Sequence, residues 1–243
     1  MNEINNQIIK INPDVVFYHI EKCGGSSIEN MLYKYFLNIY SDKEIYIPKK
    51  NNNKHYKEEQ KTFFEENQFK VILSHISFNH PLSIFPEHLS ITCIRNPIDR
   101  IISHYYFFDF DHYKIPLNSL NEEQIITYIN KRLAILFRIS GETQNIDIAF
   151  NNLKKIKIIL ILEKINDDIL KLNKVLNNYF DKTNLEIKIN KINITTNKYY
   201  SENLQKDINS IKQLNFSKLN DEIQLYNYVC EMDDVDRFNL THS

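Results

Sequence analysis

A chain of 243 residues, 42% hydrophobic and 25% charged, has enough apolar side chains for one full α/β core and too little charge for a disordered polymer. Its formal net charge of −1 gives no global attraction to nucleic acid or to a membrane surface, so any polyanion site must be a local patch. No apolar run reaches the length of a membrane span, the polar "MNEINNQIIKINPD" does not read as a signal peptide, and Cys23, Cys93 and Cys230 have neither metal-ligand nor disulfide-framework spacing. The expectation is a cytoplasmic protein forming a single domain over residues 1–243, with no metal, no nucleic-acid partner and no membrane span.

The first expected element is a strand at "DVVFYHI", residues 14–20, short and rich in β-branched and aromatic side chains. It runs into "EKCGGSS", where Gly24 and Gly25 are two of only three glycines in the chain. Paired glycines mark backbone that takes positive φ or lets another group come close. Beyond them Ile28, Met31, Leu32, Tyr35, Phe36 and Ile39 recur at helical spacing, leaving Glu29, Asn30 and Lys34 on the other side. Ser26 and Glu29 match the S-x-x-E capping box, which would start the helix at or beside Ser26. Strand, glycine turn and helix start together make an anion site: free N–H groups at the positive dipole end, bare backbone for close approach, and the Lys22 charge at the lip. A turn that serves packing alone fits this segment equally well. Neither G-x-x-x-x-G-K-[ST] nor G-x-G-x-x-G is present, which argues against a nucleoside triphosphatase or a dinucleotide-dependent dehydrogenase.

Further strands are expected at residues 69–74, 90–95 and 156–162, apolar runs of the kind found in a sheet covered on both faces. After the second, "NPIDRIISHYYFF" offers Asn96 as a helix cap and Pro97 at the first helical position. Apolar stripes predict helices over residues 122–138, 167–180 and 217–230. Strands alternating with helices predict a three-layer α/β fold, a mostly parallel central sheet with flanking helices. The polar stretches 41–68 and 182–216 read as long surface excursions.

Ligands of a parallel sheet gather at the carboxyl ends of its strands. Arg95 stands at such an end beside the helix start at Asn96, with Ser103 about two turns further on. A guanidinium there gives forked hydrogen bonds to an oxyanion, although a strand-end arginine taken alone is more often a surface ion-pair partner. The arrangement nevertheless occurs twice in this chain, which suggests a ligand with two separated anionic groups.

At this point the sequence resembles a known family. "FYHIEKCGGSSI" is similar to the F-x-H-I-x-K-T-G-G-T-S segment, and "ITCIRNPIDRIISHYYFF" to the F-L-R-D-P-x-x-R-x-x-S-x-Y segment, of sulfotransferases related to the heparan sulfate 2-O- and 6-O-sulfotransferases. The resemblance implies a P-loop-like sulfotransferase fold. It also implies 3′-phosphoadenosine 5′-phosphosulfate (PAPS) as sulfuryl donor and a carbohydrate or other hydroxyl-bearing acceptor. By it, Lys22 and the backbone of Cys23, Gly24, Gly25, Ser26 and Ser27 hold the 5′-phosphosulfate, and Arg95 and Ser103 hold the 3′-phosphate. "VILSHISFNHP" resembles the family's G-H-x-x-[FY] segment and offers His75 as catalytic base in preference to His80, with Lys22 neutralising the leaving group. "IKIILILEKINDDILKLNKVL", "KINITTN" and "NDEIQLYNYV" are more weakly similar to later family segments.

The chain departs from the family pattern at Glu21, Cys23, Ser74 and Asn96. Glu21 brings negative charge beside an anion site, and Cys23 replaces a hydroxyl that can bond a phosphate oxygen. A catalytically inactive nucleotide- or glycan-binding protein of the same fold is the alternative these changes keep open. Thiol chemistry at Cys23, near a helix start, is the remaining rival, but the arginine that a C-x₅-R phosphatase needs does not follow it. Tyr105, Tyr106, Phe107 and Phe108 offer faces for sugar rings, yet at consecutive helix positions they read first as core plus rim.

Overall fold

The computed structural model describes residues 13–47, 69–77, 88–182, 185–187 and 198–238. Five strands form one sheet: β1 (Val15–Tyr18), β2 (Ile45–Tyr46), β3 (Val71–Ser74), β4 (Leu89–Ile94) and β5 (Ile158–Ile161). Their spatial order is β2-β3-β1-β4-β5, and every pair is parallel. All the strand residues are buried, the condition under which a strand reads as an unbroken apolar run.

The pleat divides each strand between two cores. Val15 and Phe17 pack with Ile28, Leu32 and Phe36 of α1 (Gly25–Phe36) on one face, while Val16 and Tyr18 look into the other. Next along the chain come α2 (Pro97–His104), α3 (Glu122–Asn130), α4 (Ala134–Ile139) and α5 (Ile146–Leu153). They are followed by α6 (Ile165–Tyr179), α7 (Lys198–Lys212) and α8 (Ser217–Glu231). Helix α6 joins α1 on its face through Ile169, Leu172 and Leu176, and α4, α5 and α8 cover the opposite face. A third cluster, built from Ile101, Ile102, Ile129, Ile211 and Leu219, ties α2 to α3, α7 and α8. The three-layer α/β expectation therefore holds, with a parallel sheet between two helical layers.

Three departures have local physical causes. The helix expected over 122–138 is two helices, broken where the Arg132 carbonyl accepts the fully buried guanidinium of Arg100. Just past the break, the Leu136 N–H donates to Glu222, and Glu222 accepts from Arg100 as well at 3.1 Å. The supposed excursion at 182–216 contains α7, which buries Asp207 beneath the Tyr106 hydroxyl and the Asn118 N–H, each donating at 2.8 Å. Strand β2 lies inside the other polar stretch, whose residues 48–68 fall outside the described set. Among the described residues no helix is long and apolar enough to cross a membrane.

Candidate active site

The strand order creates a crevice. The chain leaves β1 toward β2 on one side and leaves β4 toward β5 on the other, so the connections from these neighbouring strands diverge at the carboxyl edge, the switch point where parallel α/β sheets take ligands. Tyr18 is level with Ser74 and with Thr92, so the residues just past these strands start from one edge. Lys22, His75 and Arg95 are those residues.

The turn after β1 uses two left-handed positions, Lys22 at φ 63° and Gly24 at φ 73°. Glycine meets that conformation freely, whereas a residue with a Cβ is strained by about 1–2 kcal/mol, a cost tolerated where position matters. Gly25 answers a different need: a Cβ there would overlap the His19 imidazole. His19 is held in turn by Glu29, whose Oε2 lies 3.0 Å from Nδ1. The expected capping box is thus absent. The helix begins one residue early, with Gly24 as its cap, and Glu29 is directed to His19 instead. Ser27 and Ile28 N–H groups donate to the Gly24 carbonyl at 3.0 and 3.2 Å, which leaves the Gly25 and Ser26 N–H groups without a partner among the described residues. These are the donors an oxyanion meets at a helix start.

Lys22 projects over an aromatic pair, with Nζ 3.7 Å from the Phe107 ring centre and 5.8 Å from that of Phe108. Burial, then the charge of Arg95, lowers its ammonium to about 8. Arg95 Nη1 donates to the Lys22 carbonyl at 3.3 Å, so the two anion motifs meet across the crevice. Its Nη2 reaches the Tyr200 hydroxyl of α7 at 3.5 Å. Ser103 is buried in α2, and Asn96 caps that helix by accepting from the Ile98 and Asp99 N–H groups. Tyr105 and Tyr106 enter the core, but Phe107 and Phe108 are 60% and 56% exposed on a π-helical turn, Tyr105–Asp109, that re-aims them toward Lys22.

His75 lies against His19, ring on ring, with centres 3.8 Å apart. Its Nδ1 is 2.9 Å from the His19 carbonyl, and a carbonyl only accepts, so Nδ1 carries the proton and Nε2 the lone pair. Burial and neighbouring His19 lower its pKa to about 4, which keeps the ring neutral at pH 7.

Glu21 does not oppose the anion site as the sequence suggested. Its Oε1 accepts from Arg138 Nη2 at 2.6 Å and stands 3.8 Å from His75 Nδ1. Burial pushes this carboxyl up, but the hydrogen bond and charge of Arg138 outweigh it and hold the group below the ordinary range. Cys23 is wholly buried, its N–H turned to the Ile20 carbonyl at 3.4 Å and its thiol pushed by burial up to about 12. A thiol in that state is no nucleophile at neutral pH, which removes the cysteine-chemistry reading.

Sequence reasoning missed Arg138, His19, Glu29 and Tyr200 as members of this site. Arg138 and Tyr200 reach it only through tertiary packing, whereas the Glu29 position four residues beyond the second glycine carried a signal already spent on the capping box.

The described residues thus bring a lysine, a glycine-lined helix start and an arginine together at the switch point of a parallel α/β sheet, the class of crevice in which such folds take ligands. A family model described as "Sulfotransferase family" matches residues 6–134, which cover β1 to β4 and the glycine turn, His75, Arg95 and Ser103. The chain belongs to the sulfotransferase family, and its general chemistry is sulfuryl transfer to a hydroxyl-bearing acceptor. No curated protein matches the chain.

Proposed function

We propose that the protein transfers the sulfuryl group of PAPS to a hydroxyl of a carbohydrate. The observation that carries this reading is the bond from Arg95 to the Lys22 carbonyl, which brings two basic strand ends into one crevice. PAPS is anionic at both ends of its ribose and supplies an activated sulfuryl group. The residues fit it: Gly24 and Gly25 keep the approach to the helix start bare, and the Gly25 and Ser26 N–H groups have no partner among the described residues. Lys22 neutralises charge on the leaving oxygen, and the Gly25 and Ser26 N–H groups at the helix start, beside Ser27, do so for the nonbridging oxygens. Arg95 and Ser103 hold the 3′-phosphate. His75, neutral with its lone pair on Nε2, takes the acceptor proton. A carbohydrate acceptor is supported by the resemblance to the heparan sulfate enzymes and by the exposed faces of Phe107 and Phe108.

The test is a calorimetric titration with 3′-phosphoadenosine 5′-phosphate against adenosine monophosphate, which lacks the 3′-phosphate. The doubly phosphorylated nucleotide should bind more tightly, and Arg95→Ala should remove about 1.5–3 kcal/mol of that advantage, roughly 10- to 100-fold, while leaving the monophosphate unaffected. Equal binding of both nucleotides by the unaltered protein would sink the reading.

The pH dependence follows from the same groups. The base must be neutral, so kcat/KM should rise as His75 loses its proton near pH 4, and Lys22 must be charged, so the rate should fall as Lys22 loses its proton near pH 8. Lys22→Arg should remove the basic limb. A profile still rising through pH 9 with the unaltered protein contradicts the role of Lys22.

A further inference from the structure

A cavity of about 290 Å³ lies beside the crevice, with Glu21, Arg100, Lys131, Arg132 and Arg138 in its wall. Four of these five are cations. Glu21, the one carboxylate lining the cavity, gives Oε1 to Arg138, while its Oε2 is buried with no partner among the described residues and suits a donor such as a sugar hydroxyl. Arg100 is fully buried and directs Nη2 to Glu222 and to the Arg132 carbonyl, but its Nε and Nη1 have no partner among the described residues. The Nε atoms of Arg132 and Arg138 are likewise buried and unmet. Each buried donor left so costs about 1–3 kcal/mol, and folded proteins tolerate few of them. Four such donor nitrogens, carrying five N–H bonds, belong to three guanidiniums whose residues line one cavity, a setting that favours a ligand rich in oxygen.

The count selects the ligand. A carboxylate presents two oxygens in a plane, whereas a phosphomonoester presents three terminal oxygens tetrahedrally and carries more charge, which suits guanidiniums arriving from separate elements. Arg100 comes from α2, Arg132 from the break between α3 and α4, and Arg138 from α4. The volume stands at the lower end of the range for small-molecule sites, about 300–1,000 Å³, and so suits one sugar-sized group in preference to a polymer. The position links the cavity to the chemistry, because Glu21 in its wall is 3.8 Å from His75.

We propose that this cavity binds the phosphomonoester of a small acceptor, a molecule the size of a hexose phosphate, and so brings one of its hydroxyls to His75; the acceptor role rests on the sulfuryl-transfer reading above. The test is calorimetry on the full chain with inorganic phosphate, glucose 6-phosphate and glucuronate, each with and without saturating 3′-phosphoadenosine 5′-phosphate. Glucose 6-phosphate should bind with the nucleotide present, at least about tenfold more tightly than glucuronate and than inorganic phosphate, the margin of one charge-assisted hydrogen bond. Arg132→Gln, at a side chain 37% exposed, should weaken it by about tenfold and leave nucleotide affinity unchanged in a protein that still folds. Lys131→Gln serves as the second variant. Glucuronate binding as tightly as glucose 6-phosphate, inorganic phosphate binding as tightly, loss of phosphate binding once the nucleotide is present, or indifference to both variants would each overturn the proposal. If the nucleotide does not bind at all, the donor reading fails by itself, and the response of glucose 6-phosphate to Arg132→Gln still decides whether the cavity is a phosphate site.

Discussion

Replacing Lys22 with alanine is expected to lower turnover of PAPS by about 100- to 1,000-fold, the loss typical of removing one preorganised charge donor at a transition state. Binding of the desulfated nucleotide should fall by less than about tenfold, because the helix-start N–H groups and Arg95 remain. The difference arises from where the charge is held. Lys22 sits at a left-handed backbone position, Nζ rests 3.7 Å from the Phe107 ring centre, and Arg95 grips its carbonyl, so the ammonium is positioned before any ligand arrives. Partial burial removes the water that would otherwise screen it, which strengthens its action on a developing negative charge and accounts for its lowered pKa of about 8. Turnover of radiolabelled PAPS with a panel of hydroxyl acceptors, set beside calorimetric affinities, separates the two effects. Equal losses in binding and turnover would mean that Lys22 only binds.

Asp168→Ala is expected to cost about 3–5 kcal/mol of stability, a large part of the roughly 5–15 kcal/mol that holds a domain of this kind together. Asp168 is fully buried in α6 and accepts from Arg237 Nη1 and Nη2 at 2.7 and 2.9 Å and from the Ile161 N–H at 2.8 Å. Arg237, itself 2% exposed, also donates to the Ile159 carbonyl at 3.3 Å. The carboxylate therefore fastens the end of β5 to the last described turn of the chain, where Phe238 bridges to Ile158. Truncation leaves the buried guanidinium with only the half-exposed Asp234 carboxylate, 3.0 Å from Nη2, as counter-charge, and that loss of compensation in the interior supplies most of the cost. Asp168→Asn should cost less, since an amide oxygen still accepts from Ile161 or Arg237. Urea unfolding of the two variants measures the difference, and a loss below about 1 kcal/mol for alanine would refute the account.

Most of the layer architecture was legible because it depends on local pattern. Short apolar runs at β1, β3 and β5, and the β-branched and apolar residues of β4 interrupted only by Ser90 and Thr92, announce buried strands, and the stripes of α1, α6 and α8 announce helices with one buried side. β2 escaped because two residues make no pattern, and α7 because its polar surface outweighs the few contacts that bury Asp207 and Ile211.

The site divides along the same line. The sequence by itself determined the two basic motifs, the glycine pair, the cap at Asn96 and the emergence of His75 from a strand, since each is written in a few consecutive residues. Only the tertiary structure decided what those residues meet. It gave Glu21 its partner Arg138, 117 positions away, joined Arg95 to Lys22, 73 positions away, and stacked His75 on His19. It also gathered Arg100, Arg132 and Arg138 around one cavity. Charge and hydrogen bonding act over a few ångströms of space, and the separation of residues along the chain carries no information about that distance until the sheet and its helices have packed.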